Sequence, residues 1–216
     1  MAVMLEELTV ADAPRAWRDC GFEVVGEECT VGEVRIRFAP REGASGLVGW
    51  SLRGLASTDL DGLPTNRSEN RTQLSPHTGD KCVRSVHPNG VTGLDHVVVI
   101  SSDLDRTVRA LEAGGLDLRR IREEPTPAGA PRQAFFRLGA PILEAVQEPP
   151  EATERAGGDR PAFFWGLAFV APDLDRTAAF LGERVGEVRP AVQPGRRIAT
   201  LRRGAGLSVP VALMTP

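Results

Sequence analysis

The sequence predicts an α+β fold in which βαβββ modules repeat and form curved mixed sheets. Three observations predict it. First, Ser102-Asp103-Leu104-Asp105-Arg106-Thr107 recurs as Pro172-Asp173-Leu174-Asp175-Arg176-Thr177, 70 residues later. Second, each copy follows an apolar run, at 94–100 and 163–170, and precedes a helical pattern that ends in glycine, at 108–114 and 178–182. Third, each helix leads into three short β-like runs broken by Gly and Pro.

The elements follow in order. An aspartate after each apolar run suits a helix start, because its carboxylate accepts from free backbone N–H groups and meets the positive end of the helix dipole. Glycine past the last turn allows the left-handed backbone that stops a helix. The strands after the first helix are expected at 116–121, 133–138 and 142–146, and after the second at 185–188, 197–202 and 207–213. A weaker third copy opens the chain. Its first strand is at 5–10, and Asp12-Ala13-Pro14 starts a helix that Gly21 ends. Its remaining strands are at 23–27, 31–38 and 47–52, and Val34-Arg35-Ile36-Arg37-Phe38 alternates as a half-buried strand does. The domain reading is a degenerate first module at 1–56, a polar linker at 57–90, and paired modules at 91–149 and 161–216 that form one domain over 91–216. Two adjacent modules can curve around a shared trough. The first module then either packs on the same barrel or meets its counterpart in a homodimer.

Composition excludes several function classes. The 216 residues are 41% hydrophobic and 25% charged with a net charge of -3, so neither global disorder nor a nucleic-acid-binding face is implied. No apolar stretch reaches the roughly 20 residues of a membrane span, so no membrane partner is expected. The start lacks a basic, apolar leader. Cys20, Cys29 and Cys82 have no paired metal spacing and read as reduced thiols, so the expected location is cytoplasmic. Two Asn-Arg-Ser/Thr sequons, at Asn66 and Asn70, read as chance matches in a polar linker.

Gly93-Leu94-Asp95-His96-Val97-Val98-Val99 before the repeated Asp-Leu-Asp-Arg-Thr, with the last strand Ile142-Leu143-Glu144-Ala145-Val146, resembles the vicinal oxygen chelate superfamily of glyoxalase I, extradiol dioxygenases and bleomycin-binding proteins. The resemblance covers 91–215 well and 1–55 loosely. It implies a trough between modules that takes a small, anionic or vicinal-oxygen molecule. In metal-using members a His or Gln on the first strand and a Glu on the last hold a divalent ion, and His96 and Glu144 match those positions. The implied ion is Zn, Ni, Mn, Fe or Co, on an incomplete ligand set, or none. Gly166 and Val209 stand at the corresponding positions of the partner module, and neither can ligate. In the first module Glu6 or Glu7 is near the first-strand position, while Trp50 and Ser51 occupy the region of the last-strand acid.

The candidate catalytic and metal-ligating residues are therefore His96 and Glu144, acting on a carbon acid as a lyase or isomerase. Extradiol oxygenation, which wants two histidines around iron, is less expected. The alternative is a metal-free binding or sequestering protein of the bleomycin-resistance type. Arg137, Arg197 and Trp50 are the candidate substrate-binding residues, since guanidinium groups match carboxylates and phosphates. Strand alternation sends Asp95 to the face opposite His96. His77 and His87 fall in the linker, from which either could reach back to the site.

Overall fold

The computed structural model describes residues 2–68, 87–126 and 129–216. The first unit contains β1 (Met4–Val10), α1 (Pro14–Asp19), β2 (Glu28–Val31), β3 (Val34–Phe38), β4 (Leu47–Arg53) and β5 (Thr65–Arg67). The second contains β6 (Gly93–Ser101), α2 (Leu104–Ala113), β7 (Asp117–Arg122), β8 (Gln133–Arg137) and β9 (Ile142–Gln147). After α3 (Pro150–Arg155) the third runs through β10 (Phe163–Val170), α4 (Leu174–Leu181), β11 (Arg189–Pro190), β12 (Arg197–Thr200) and β13 (Val211–Met214). No helix among the described residues is long and apolar enough to cross a membrane.

The repeated motif does what its chemistry requires. Asp103 and Asp173 cap α2 and α4, each accepting from the backbone N–H of the Arg three residues on, at 3.0 Å. The two units then join through antiparallel β6 and β10, the central pair of an eight-stranded sheet ordered β11-β12-β13-β10-β6-β9-β8-β7. Each outer half repeats one pattern, with a last strand parallel to its own first strand, as β9 is to β6 and β13 to β10.

The first unit departs from the expected βαβββ order. A two-residue turn at Gly32 (φ 63°) places the hairpin at β2–β3, so β3 rather than the 47–52 segment is the strand parallel to β1. β4 instead runs antiparallel to β1, and β5 is parallel to β4. The five-stranded order β2-β3-β1-β4-β5 therefore has the same directions, in the same chain order, as β8-β9-β6-β10-β13. The first unit is an abridged pair of modules, not one module. β5 and the buried Leu60 and Leu63 fall inside the span expected to be linker, and α3 falls between the two paired modules.

One hydrophobic core joins both sheets. Trp17 of α1 is fully buried against Phe22, Phe38 and Phe169 at ring distances of 4.8, 5.5 and 6.0 Å, and its Nε1–H donates to Asp12 Oδ2 at 3.0 Å. The other oxygen of Asp12 accepts from the Ser208 N–H at 2.8 Å, which ties the start of the chain to the approach to β13. A second tie is Asp61. Its backbone is left-handed (φ 53°) and its carboxylate, 7% exposed, accepts from Arg106 Nε at 2.8 Å and from the Thr107 hydroxyl. The motif's Arg-Thr thus anchors the first unit to α2.

Removing the Asp61 charge leaves Arg106 Nε and the Thr107 hydroxyl without their buried anionic acceptor, while Asp159 still pairs with Arg106 Nη1. Asp61→Asn, which keeps a side chain that tolerates the left-handed backbone, is expected to lower the unfolding free energy by about 2–3 kcal/mol. Urea denaturation measures this, and an unchanged midpoint would show that Asp61 does not join the units.

Candidate active site

The sheet curves so that one face of β6–β10 meets the core and helices while the other lines a trough. On β6 the core-facing residues are Val97, Val99 and Ser101, so His96 and Val98 face the trough. The β6–β10 register steps from His96↔Ala168 to Leu94↔Phe169, which leaves Asp95 as an extra residue. Such a bulge breaks strand alternation. The expectation that Asp95 points away from His96 is therefore corrected: both line the same cavity, of about 590 Å³.

Three side chains form a line across its floor. Asp95 Oδ1 is 2.7 Å from His96 Nδ1, and His96 Nε2 is 3.4 Å from Glu144 Oε2 on β9. Asp95 is also held by Arg196, whose Nε–H donates to the Thr215 carbonyl at 2.7 Å and whose Nη1 donates to Gln193 Oε1 at 2.6 Å. Burial pushes the Asp95 carboxyl up, but the hydrogen bonds from His96 and Arg196 outweigh it and hold the group below the usual carboxylate range. An ionised Asp95 has no proton to give, so in the neutral imidazole Nδ1 carries the hydrogen and Nε2 presents its lone pair to Glu144.

Glu144 behaves oppositely. Burial raises its pKa, against the opposing pull of His96 and of the amide of Gln133 that donates to Oε1. The two carboxyls on either side of one imidazole are thus driven apart, one toward the anion and one toward the acid. Pairs of this kind are how a fold assigns base and acid. The 3.4 Å between Nε2 and Oε2 is longer than an ordinary O–H···N hydrogen bond and leaves both atoms accessible to a third group.

The frame that carries this site has a counterpart among known structures. A 4-hydroxyphenylpyruvate dioxygenase fused to a xylose isomerase-like TIM barrel superposes with a TM-score of 0.62 at 14% identity, over 98% of this chain and 49% of that one. The chain has the fold of the vicinal oxygen chelate proteins. Methylmalonyl-CoA epimerase from Mycobacterium tuberculosis shares 22% identity over 59% of this chain and 89% of its own, with a TM-score of 0.48. The epimerase from Streptomyces coelicolor, in complex with 2-nitronate-propionyl-CoA, shares 24% over 58% and 94%, with a TM-score of 0.46. At these identities the likeness is one of fold. No protein-family model and no curated protein sequence matches the chain.

Within this vicinal oxygen chelate frame the partner module supplies no ligand. Val98 pairs with Glu144 across β6–β9, and the repeat aligns Val98 with Ala168, which pairs with Ala212. Ala212, not Val209, therefore stands opposite Glu144. Gly166 corresponds to His96 in the repeat, and a Cβ there would lie 2.8 Å from the Pro210 carbonyl oxygen, so no larger side chain fits unless the backbone shifts. Among the described residues no group of three His, Cys, Asp or Glu side chains is arranged to hold a metal. His96 and Glu144 alone do not fit a resident catalytic ion, which takes three or more protein ligands. His77 lies outside the described residues. His87 is buried beside Phe22, where its Nδ1 accepts from the Glu23 N–H at 3.0 Å. In the first sheet Glu7 is closed off by Arg35 and Arg37 at 2.7 and 3.0 Å.

The three expected substrate contacts lie outside the cavity. Arg137 is exposed at the end of β8, beyond Phe135, which does line it. Arg197 faces α4 and makes a two-pronged pair with Asp175 at 2.8 and 2.9 Å. Trp50 is fully buried, with its Nε1–H donating to Thr65 Oγ1 at 2.7 Å and its ring edge-on to Phe164. The residues missed by sequence reasoning are Asp95 and Arg196 as a pair, Gln133, and Arg120 and Arg122 on β7. Charge-rich β7 was the one signal available for the last two.

A raised carboxyl pKa has a defined signature. Glu144 adds stability that is complete below its unfolded value, near 4.5, and is lost as pH rises through the higher folded value. Glu144→Gln, which keeps Oε1 for Gln133, is expected to stabilise the fold by about 0.5–2 kcal/mol near neutrality and by almost nothing near pH 4.5. Chemical denaturation at both pH values measures it. A gain of equal size at both would remove the charge-burial account.

Proposed function

We propose that the protein is an isomerase-type enzyme that moves a proton at a carbon next to a carbonyl of a small anionic substrate, without a resident metal. The observation that carries this reading is the Asp95–His96–Glu144 line on the trough floor, with an oriented imidazole 3.4 Å from a buried acid. His96 Nε2 takes the proton from the carbon, and the C–H electron pair becomes the C=C bond of an enol. The carbonyl π pair takes the proton that Glu144 carries, so charge does not accumulate on oxygen. The reverse step returns one proton to Glu144 from an enol oxygen and delivers the other from His96 to carbon. Because both groups rise from neighbouring strands of one floor, they address one face of the substrate. This favours transfer between adjacent atoms over inversion by bases on opposite faces.

The absence of any ligating side chain at Gly166, Ala168 and Ala212 supports a second reading, a metal-free binding protein.

Deuterium incorporation at C3 of 2-oxobutanoate and 2-oxohexanoate, followed by proton NMR, separates the two. The enzyme reading expects exchange that survives a chelator and falls by about 100-fold or more in His96→Ala and in Glu144→Gln, the usual worth of a general acid or base. Exchange abolished by the chelator would overturn the metal-free mechanism. Binding without exchange would favour the second reading.

A further inference from the structure

The walls of the trough differ in chemistry. On one side a register step between Leu118 and Arg120 leaves Arg119 as an extra residue on β7. Arg120 and Arg122 then pair with the trough-facing Phe135 and Gln133, and both line the cavity. Arg120 makes no hydrogen bond or ion pair among the described residues, and its guanidinium lies over the Phe135 ring, 5.8 Å from the centroid. Among the described residues Arg122 forms one ion pair, with Glu124 at 3.6 Å, and its charge also acts on Glu144; Glu124 lines the cavity too and is 80% exposed. Such a surface pair contributes about 0–1 kcal/mol and exchanges readily for a better partner. Nearby cations in the site, such as Arg196, are by contrast already neutralised.

The facing wall is apolar. It is made of Val192 and Pro194 from the β11–β12 loop, Ile198 of β12 and Met214 of β13. Val192 is 57% exposed, an apolar side chain left facing water at the rim of a cavity. The volume of about 590 Å³ falls within the range of about 300–1,000 Å³ usual for small-molecule pockets. It is far more than a three-carbon acid fills.

We infer that the ligand is a carboxylate with an apolar tail. Its charged end sits at Arg120 and Arg122, and its tail lies along Val192, Pro194, Ile198 and Met214. The span between the two walls crosses His96 and Glu144, so the carbons near the charged end lie over the proton-transfer pair. That last placement rests on the reading of the trough given above, whereas the two-ended binding does not. Burial shifts Glu144 toward its neutral form, which lessens its repulsion of the anion.

Calorimetric titration of the full chain with acetate, butanoate, hexanoate and hexan-1-ol tests this. Affinity is expected to rise about two- to fourfold per methylene along the acids. Hexanol is expected to bind about tenfold or more weakly than hexanoate. The Arg120→Ala/Arg122→Ala chain, altered only at exposed or half-exposed side chains, should lose the acid–alcohol difference and keep the methylene slope. Ile198→Thr should flatten the slope and leave acetate unchanged. Hexanol binding as well as hexanoate, acetate binding as well as hexanoate, or no binding by any of the four would overturn the inference. Selective binding without deuterium exchange would remove the proton-transfer reading and leave this one standing. Exchange without acid or tail preference would do the reverse.

Discussion

Asp95 sits where β6 takes one residue more than its partner strand, and its carboxylate accepts from both His96 and Arg196. Without the bulge the side chain would face the core, where an unpaired carboxylate is costly. With it, the negative charge is neutralised by a guanidinium that is itself fixed to Thr215 and Gln193. The imidazole is then held in one tautomer, and that tautomer directs a lone pair at Glu144. The cavity's chemistry therefore depends on one irregularity in the central strand pair. The same contacts link the site to the β11–β12 loop, because Gln193 belongs to the segment that forms its apolar rim.

The two sheets share a frame and use their outward faces differently. In the five-stranded sheet the concave position is occupied by Glu7 between Arg35 and Arg37, with Arg37 also donating to Thr9 Oγ1 at 3.2 Å. That arrangement satisfies its own charges and leaves little for a ligand. In the eight-stranded sheet Glu144 meets a neutral amide and an imidazole, Arg196 is committed to Asp95, and Arg120 and Arg122 line the cavity. The abridged sheet serves instead as a support. Its Trp17, Trp50 and Asp61 hold β10 and α2 from behind, so the strands that carry the site are pinned on the side away from the trough.

The repeat, the helix caps and the central strands were legible because each rests on a local rule. An aspartate before an apolar helical pattern caps it in both copies, and a largely apolar strand leads into it. His96 and Glu144 stood out through the resemblance, each as a polar residue in an apolar strand, and the structure brings them within 3.4 Å of one another. What escaped was what depends on register. Alternation assigns Asp95 to the wrong face because a bulge cannot be read from one strand without its partner. The same failure hid Arg120 and Arg122 behind the extra residue Arg119, while Arg197, expected as a substrate contact from its place on a strand, lies on the helix side with Asp175. The first unit misled because its strands are real but differently joined. Nothing local distinguishes a last parallel strand from the first strand of the next, shortened module, and only the antiparallel β1–β4 pairing decides it.

The central claim is that Asp95 fixes the His96 tautomer so that Nε2 is the base facing Glu144. Nitrogen NMR of the imidazole rings at neutral pH measures this directly, and with three histidines in the chain the His96→Asn spectrum assigns the signals. The account predicts a protonated Nδ1 and an unprotonated Nε2 in the native protein, with that preference lost in Asp95→Asn. A native spectrum with the hydrogen on Nε2, or an Asp95→Asn spectrum unchanged from the native one, would contradict it.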